Sequence, residues 1–292
     1  MRGSQLSVMK SQLVKYFLFF AFLALTPNLA AQSTPDRLLT FKSVGDAELQ
    51  LHVFNPKGHK AGDKRPVIVF FFGGGWVGGT PAQFYQQARS FADQGIVAIS
   101  AEYRVKSRHK TSPFECVKDG KSAIRWVRHH SEELGIDPNR IVASGGSAGG
   151  HVAACTALIL GHEEDGEDSS VSAFPNALIL FNPVIDTTEK GFGVTAVGTN
   201  RKNEISPCHH VREGLPPTLI FHGTADKTVP IENVRQFSML MNEAGNQCTL
   251  VEFDHKIHGF FNGSWFRPES DDLDFHATML KSSAFLAELG FL

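Results

Sequence analysis

The chain has 292 residues, of which 42% are hydrophobic and 20% charged, and a formal net charge of −2. That composition is ordinary for a globular protein and long enough for one large α/β domain, with no second domain required. The near-balanced charge, with no Lys/Arg-rich run and no basic stripe interleaved with aromatics, argues against a nucleic-acid partner.

Residues 1–31 stand apart from the rest. Arg2, Lys10 and Lys15 precede the apolar run 16–25, and small residues follow, with Ala30 or Ala31 placed for cleavage. This is the pattern of a secretory signal peptide, and the run is short for a membrane span, so a secreted or periplasmic domain over 32–292 is expected, without stable membrane insertion. Removing that segment strips three cations and no acid, leaving a more acidic chain.

Alternation over 37–43 and 48–54 predicts strands with one exposed face, whereas 67–72 is apolar throughout, as for a strand covered on both faces. It runs into Gly73-Gly74-Gly75-Trp76. A helix over 82–94, a strand over 96–101 and a basic loop ending at Pro113 follow. Near-helical apolar spacing predicts a helix over 114–134, stopped by Gly135. A strand beginning at Ile141 leads through Gly145-Gly146-Ser147-Ala148-Gly149 into a helix to Leu160, and the acidic stretch 163–168 reads as a solvated loop. Further strands are expected over 177–181, 218–221 and 249–253, with helices over 231–244 and 271–289. About eight strands alternating with helices imply a mostly parallel sheet with helices on both faces. The stretch 186–217 lacks a clear element, which suits a small lid.

The chemistry centres on Ser147. Its G-x-S-x-G pattern fits a strand-to-helix turn that lifts a serine hydroxyl above the end of a sheet, and only Gly and Ala flank it. A serine hydroxyl needs a base within hydrogen-bond reach and a third group to orient that base. Asp226, in the turn after one later strand, and His258, after the next, supply them in the order Ser, Asp, His. Asp186, Asp254 and His255 are rivals within the same loops. Gly74 and Gly75, with the amide of Ala148, can aim N–H groups at a developing oxyanion. Trp76 reads equally as core or as a pocket wall, His151 as a hydrogen-bonding residue of the fold, and His222 as a brace for the Asp226 turn. Cys208-His209-His210 lacks a fourth ligand at suitable spacing, and the four cysteines, Cys116, Cys155, Cys208 and Cys248, include no C-x-x-C pair, so no metal or redox site is expected. Export could join two of them, although Cys155 falls on a helix that should be buried.

These motifs, together with Ala101-Glu-Tyr-Arg104, Asp137-Pro-Asn-Arg-Ile141 and His258-Gly-Phe260, resemble the α/β-hydrolase family. Within it they are similar to the hormone-sensitive-lipase-like esterases, including bacterial acetyl esterases and small feruloyl or acetyl xylan esterases. The resemblance spans residues 66–261 and implies Ser147 as nucleophile, Asp226 and His258 as partners, and Gly74, Gly75 and Ala148 as oxyanion donors. Two departures stand out. Phe72 occupies the place where that family usually carries His, and there is no room for the N-terminal cap of the larger members. The expectation is an exported, cofactor-free serine esterase that removes acetyl or feruloyl groups from small or polysaccharide esters. Two alternatives remain: an amide-cleaving hydrolase of peptidase or formamidase type, and a non-catalytic binding protein on the same fold.

Overall fold

The computed structural model describes residues 34–292, so the expected signal peptide lies outside the described residues. Eight strands form one sheet: β1 (Arg37–Val44), β2 (Ala47–Phe54), β3 (Arg65–Phe71), β4 (Val97–Ala101), β5 (Ile136–Gly146), β6 (Ala177–Phe181), β7 (Thr218–Gly223) and β8 (Cys248–Phe253). Their spatial order is β1-β2-β4-β3-β5-β6-β7-β8. The β1–β2 and β2–β4 pairs are antiparallel, and every pair from β4 through β3 to β8 is parallel. Seven helices connect or cover them: α1 (Tyr85–Asp93), α2 (Lys106–His109), α3 (Pro113–His129), α4 (Ala148–Leu158), α5 (Val194–Val197), α6 (Ile231–Glu243) and α7 (Leu273–Glu288). None is long and apolar enough to cross a membrane.

The period-two geometry of a strand divides the core. Val67, Val69 and Phe71 of β3 pack with Val117 and Ile124 of α3, Val152 of α4 and Phe237 of α6. Ile68 and Phe70 point the other way, toward Phe91 of α1 and Phe275 and Phe285 of α7. The chain leaves β3 to one side for β4 and returns to the other side for β5. The carboxyl ends of β3 and β5 therefore flank a topological switch point, where open α/β sheets place their ligands.

The acidic stretch is not the solvated loop its composition suggests. Glu163 meets Lys121 at 2.8 Å and Arg125 at 2.6 Å, Glu164 meets Lys42 at 2.7 Å, and Arg125 also holds Glu167. Lys42 follows an irregularity in the β1–β2 register that turns its side chain inward, where it reaches the fully buried Asp119 at 2.7 Å. Arg104 reaches the same carboxylate at 2.8 Å. Cations buried on β1 and α3 must be paired, and the acidic loop is drawn onto them.

The stretch 186–217 is packed rather than loose. It carries α5 and a short 3-10 turn over Pro207–His209, and buries Ile205 and Val197. Asp186, Cys208 and His209 bring their ligand atoms within 4.8 Å of one another, but burial pushes the Cys208 thiol up to about 11 and His209 Nδ1 already lies 2.9 Å from Ser206 Oγ. All four cysteines are free thiols.

The buried ion cluster carries a prediction. Asp119→Ala leaves Lys42 and Arg104 without their shared buried carboxylate and is expected to destabilise the fold by about 3–5 kcal/mol in urea unfolding. Glu163→Gln, at a more exposed pair, should cost about 1 kcal/mol or less. Equal effects would show that the burial of Asp119 carries no special weight.

Candidate active site

The turn after β5 is the tightest point of the fold. Ser147 adopts φ 55° and ψ −121°, a conformation that L-residues avoid at a cost of about 1–3 kcal/mol. Its amide donates to Phe181 O at 2.9 Å, and its carbonyl accepts from His151 N at 3.0 Å and Val184 N at 3.2 Å. A Cβ at Gly145 would lie 2.5 Å from the Gly149 carbonyl carbon, and one at Gly149 would collide with the carbonyls of Phe71 and Phe72. The glycines of the motif are therefore required by close approach of two backbones.

Ser147, Asp226 and His258 come together. His258 Nε2 lies 2.9 Å from Ser147 Oγ, and His258 Nδ1 lies 2.7 Å from Asp226 Oδ2. Burial alone would raise the Asp226 carboxyl, but the hydrogen bond from His258, the Val229 amide, the His258 charge and the Thr228 amide together hold it below the usual carboxylate range. The two amides donate to Asp226 Oδ1 at 3.0 and 2.8 Å. His222 braces this turn by donating from Nε2 to Val229 O at 2.9 Å. The rivals lie elsewhere. His255 is 91% exposed and pairs with Asp254 at 3.2 Å, while Asp186 turns its carboxylate back to the Thr188 amide.

The structure brings Gly74, Gly75 and Ala148 to the serine turn. Both glycines have positive φ, 132° and 62°, and line the Ser147 cleft with Gly73. Ala148 opens α4, where unpaired amides and the helix dipole favour a negative charge. Among the described residues the amides of Gly74, Gly75 and Ala148 donate to no internal acceptor, whereas Gly73 N–H is taken by Gln83 Oε1 at 2.6 Å. The brace lost with Phe72 is replaced: Tyr103 donates its hydroxyl to Phe72 O at 2.6 Å, and the two rings stack at 4.2 Å.

Trp76 is a correction. It follows Gly75 with φ 61°, which turns the indole inward, so only 2% of the residue is exposed. The ring packs edge-on against His151 at 5.1 Å and under Gly193, where a Cβ would lie 2.7 Å from Trp76 Cη2. The cleft wall is formed instead by Phe192, which covers Trp76 at 5.7 Å.

Three side chains invisible to motif reading join the loops. Gln83 Nε2 donates to Asn262 Oδ1 at 3.1 Å, and Asn262 Nδ2 donates to Gly259 O at 2.8 Å. Asn182, buried at the end of β6 with φ 35°, accepts from Gly259 N at 2.8 Å. The residue after His258 is thus clamped through both its N–H and its C=O, and the clamp continues through Gln83 to the glycine loop. The cleft these groups line has a volume of about 380 Å³.

A strand-turn-helix serine, a His and an Asp at the carboxyl ends of a mostly parallel sheet define an α/β-hydrolase site. The comparisons agree. The profile of the BD-FAE family matches residues 51–190. Carboxylesterase NlhH of Mycobacterium tuberculosis is 30% identical over 223 residues, 68% of either chain. An acetylxylan esterase of Xylanibacter ruminicola is 28% identical over 274 residues, 89% of this chain and 53% of its own. Esterase 2 of Thermogutta terrifontis, in a structure phosphonylated by cyclosarin, is 49% identical over 88% of this chain and 95% of its own, with a TM-score of 0.83. The chain belongs to the α/β-hydrolase esterase family and, within it, to the serine esterases. It spans about half the length of several curated relatives.

His151 supplies a pH prediction. Burial drives its imidazole down to about 4, against the bond it gives Ile205 O at 2.6 Å, which favours the charged form. The unfolded imidazole titrates near 6.5, so between about pH 6.5 and 4 the unfolded chain binds a proton that the native chain refuses. Stability should therefore fall as pH drops through that window, by on the order of 3 kcal/mol from this residue. His151→Asn should flatten the decline in melting temperature between neutral pH and about 4.5. Parallel profiles for the two proteins would contradict the assignment.

Proposed function

We propose that the protein hydrolyses carboxylic esters of short acyl groups, with Ser147 as nucleophile, His258 as general base and then acid, and Asp226 as the group that orients it. The observation that carries this reading is the continuous hydrogen-bonded line from Ser147 Oγ through both His258 nitrogens to Asp226 Oδ2, at 2.9 and 2.7 Å. Ser147 attacks the ester carbonyl as its proton passes to His258 Nε2. The oxyanion turns toward the amides of Gly74, Gly75 and Ala148. Collapse expels the alcohol, protonated by His258, and leaves an acyl-Ser147 that water, activated by the same imidazole, hydrolyses.

The acyl preference is proposed to be short, acetyl first and feruloyl as the aromatic variant, with the alcohol part of a small molecule or a polysaccharide. Support comes from the acetylxylan esterase that aligns over most of this chain, and from the propionate-bound structure of Thermogutta terrifontis esterase 2, 46% identical with a TM-score of 0.83. Export is proposed from Arg2, Lys10, Lys15 and the apolar run 16–25.

Hydrolysis of p-nitrophenyl esters of increasing acyl length, with acetylated xylan and matched anilides alongside, tests the reading. Acetate and propionate esters should exceed the octanoate by about tenfold or more in kcat/KM, and the anilides should lag well behind. Ser147→Ala should lower kcat by on the order of 10⁵, and Asp226→Asn by about 10⁴. Full activity in Ser147→Ala would reject the nucleophile, and acetylated xylan left intact while small esters turn over would reject the polysaccharide. Amino-terminal sequencing of protein recovered outside the cytoplasm should begin just after Ala30 or Ala31, and a retained Met1 would contradict export.

A further inference from the structure

The rim of the cleft carries one permanent charge. Among the residues lining the Ser147 cleft, Arg267 is the one Arg or Lys, and none is a carboxylate. Its guanidinium sits against the backbone directly after His258: a Cβ at Gly259 would lie 2.8 Å from Arg267 Nη2 and 3.1 Å from Cζ. A side chain at 259 would have to displace the guanidinium from this position.

No carboxylate among the described residues lies within ion-pair distance of Arg267, and its side chain donates to none of their polar atoms. Two of the nearby acids are committed elsewhere. Asp272 Oδ2 takes the Ser264 hydroxyl at 2.7 Å, and Asp274 pairs with Lys256 at 2.8 Å. The backbone turn that carries the arginine is held in place. The Arg267 amide donates to Gly263 O at 2.9 Å, and Trp265 Nε1 ties the same turn, at 3.3 Å, to the carbonyl oxygen of Ala82, the residue before Gln83 in the chain. Next to it Phe266 leaves 41% of its surface exposed. A partly exposed guanidinium without an internal acceptor, at a cleft that Phe266 also lines, can take a planar anion in two parallel N–H···O bonds.

We propose that Arg267 is a specificity residue that selects esters bearing a carboxylate close to the scissile bond, sugar acids among them. The proposal rests on the ester-hydrolase reading of Ser147. The carboxylate can belong to the acyl or to the alcohol part, and matched substrates separate these. Monoethyl succinate and ethyl butyrate differ by a carboxylate in place of a methyl on the acyl side. The acetate of 3-hydroxypropanoate and propyl acetate differ in the same way on the alcohol side.

For at least one pair, the wild-type protein at low ionic strength should favour the anionic ester by about tenfold in kcat/KM, expressed in KM, the size expected of a charge-assisted hydrogen bond. Arg267→Gln should lower that anionic-to-neutral ratio by about tenfold, and Arg267→Lys should restore part of it. In about 1 M salt the wild-type KM for the anionic ester should rise while its neutral partner's holds. No preference in either pair, or a preference that survives Arg267→Gln, would overturn the proposal. If Arg267→Gln does not fold, a salt-insensitive wild-type KM for the anionic esters overturns it instead. Failure of the wild-type protein on the neutral esters as well would be a failure of the ester-hydrolase reading itself.

Discussion

The constraint on which the rest of the structure depends is the backbone reversal at Ser147. A non-glycine residue at φ 55° and ψ −121° persists only where its surroundings over-determine it. Here β5 delivers the chain, the Phe181 carbonyl fixes the serine amide, and the carbonyl of Ser147 serves both α4 and Val184. Gly145 and Gly149 keep the crossing free of side chains, so β3 can lay its glycine run beside the turn. The result sets a hydroxyl, free backbone amides and a helix N-terminus in one place at the switch point of the sheet. In the proposed reaction, a developing oxyanion would meet donors already in place there before any substrate arrives.

Preorganisation extends beyond the three residues in line. Gly259, one residue past His258, is clamped by Asn182 through its N–H and by Asn262 through its C=O. Asn262 in turn holds Gln83, which fixes Gly73. The imidazole and the glycine loop are therefore positioned by one chain of neutral amides. Neutral amides suit this task because they orient without adding a charge that would compete with the reacting groups.

Much of this was legible in the sequence, and the reasons are physical. Strand period, glycine-rich strand ends and the order Ser147, Asp226, His258 depend on local chemistry, so the eight strands, their mainly parallel arrangement and the three aligned side chains could be anticipated. Roles set by tertiary neighbours could not. Trp76 reads equally as core or as wall until its positive φ is known to send the indole inward. The acidic stretch reads as solvated until Lys42, Lys121 and Arg125 prove to be buried and in need of partners. Gln83, Asn182 and Asn262 carry no motif at all, because an amide that bridges two loops leaves no trace in spacing. Phe72 lay between these cases: the missing family histidine was visible, whereas its replacement by the Tyr103 hydroxyl required coordinates.

The central claim is that Ser147, and no other residue, is the nucleophile. Stoichiometric treatment with an organophosphate such as paraoxon, followed by peptide mass spectrometry, tests it most directly. The account predicts one phosphoryl adduct per chain, on the peptide containing Ser147, with esterase activity lost in step with labelling and no adduct on Ser147→Ala. Inactivation accompanied by an adduct on another residue, or equal labelling of Ser147→Ala, would contradict it.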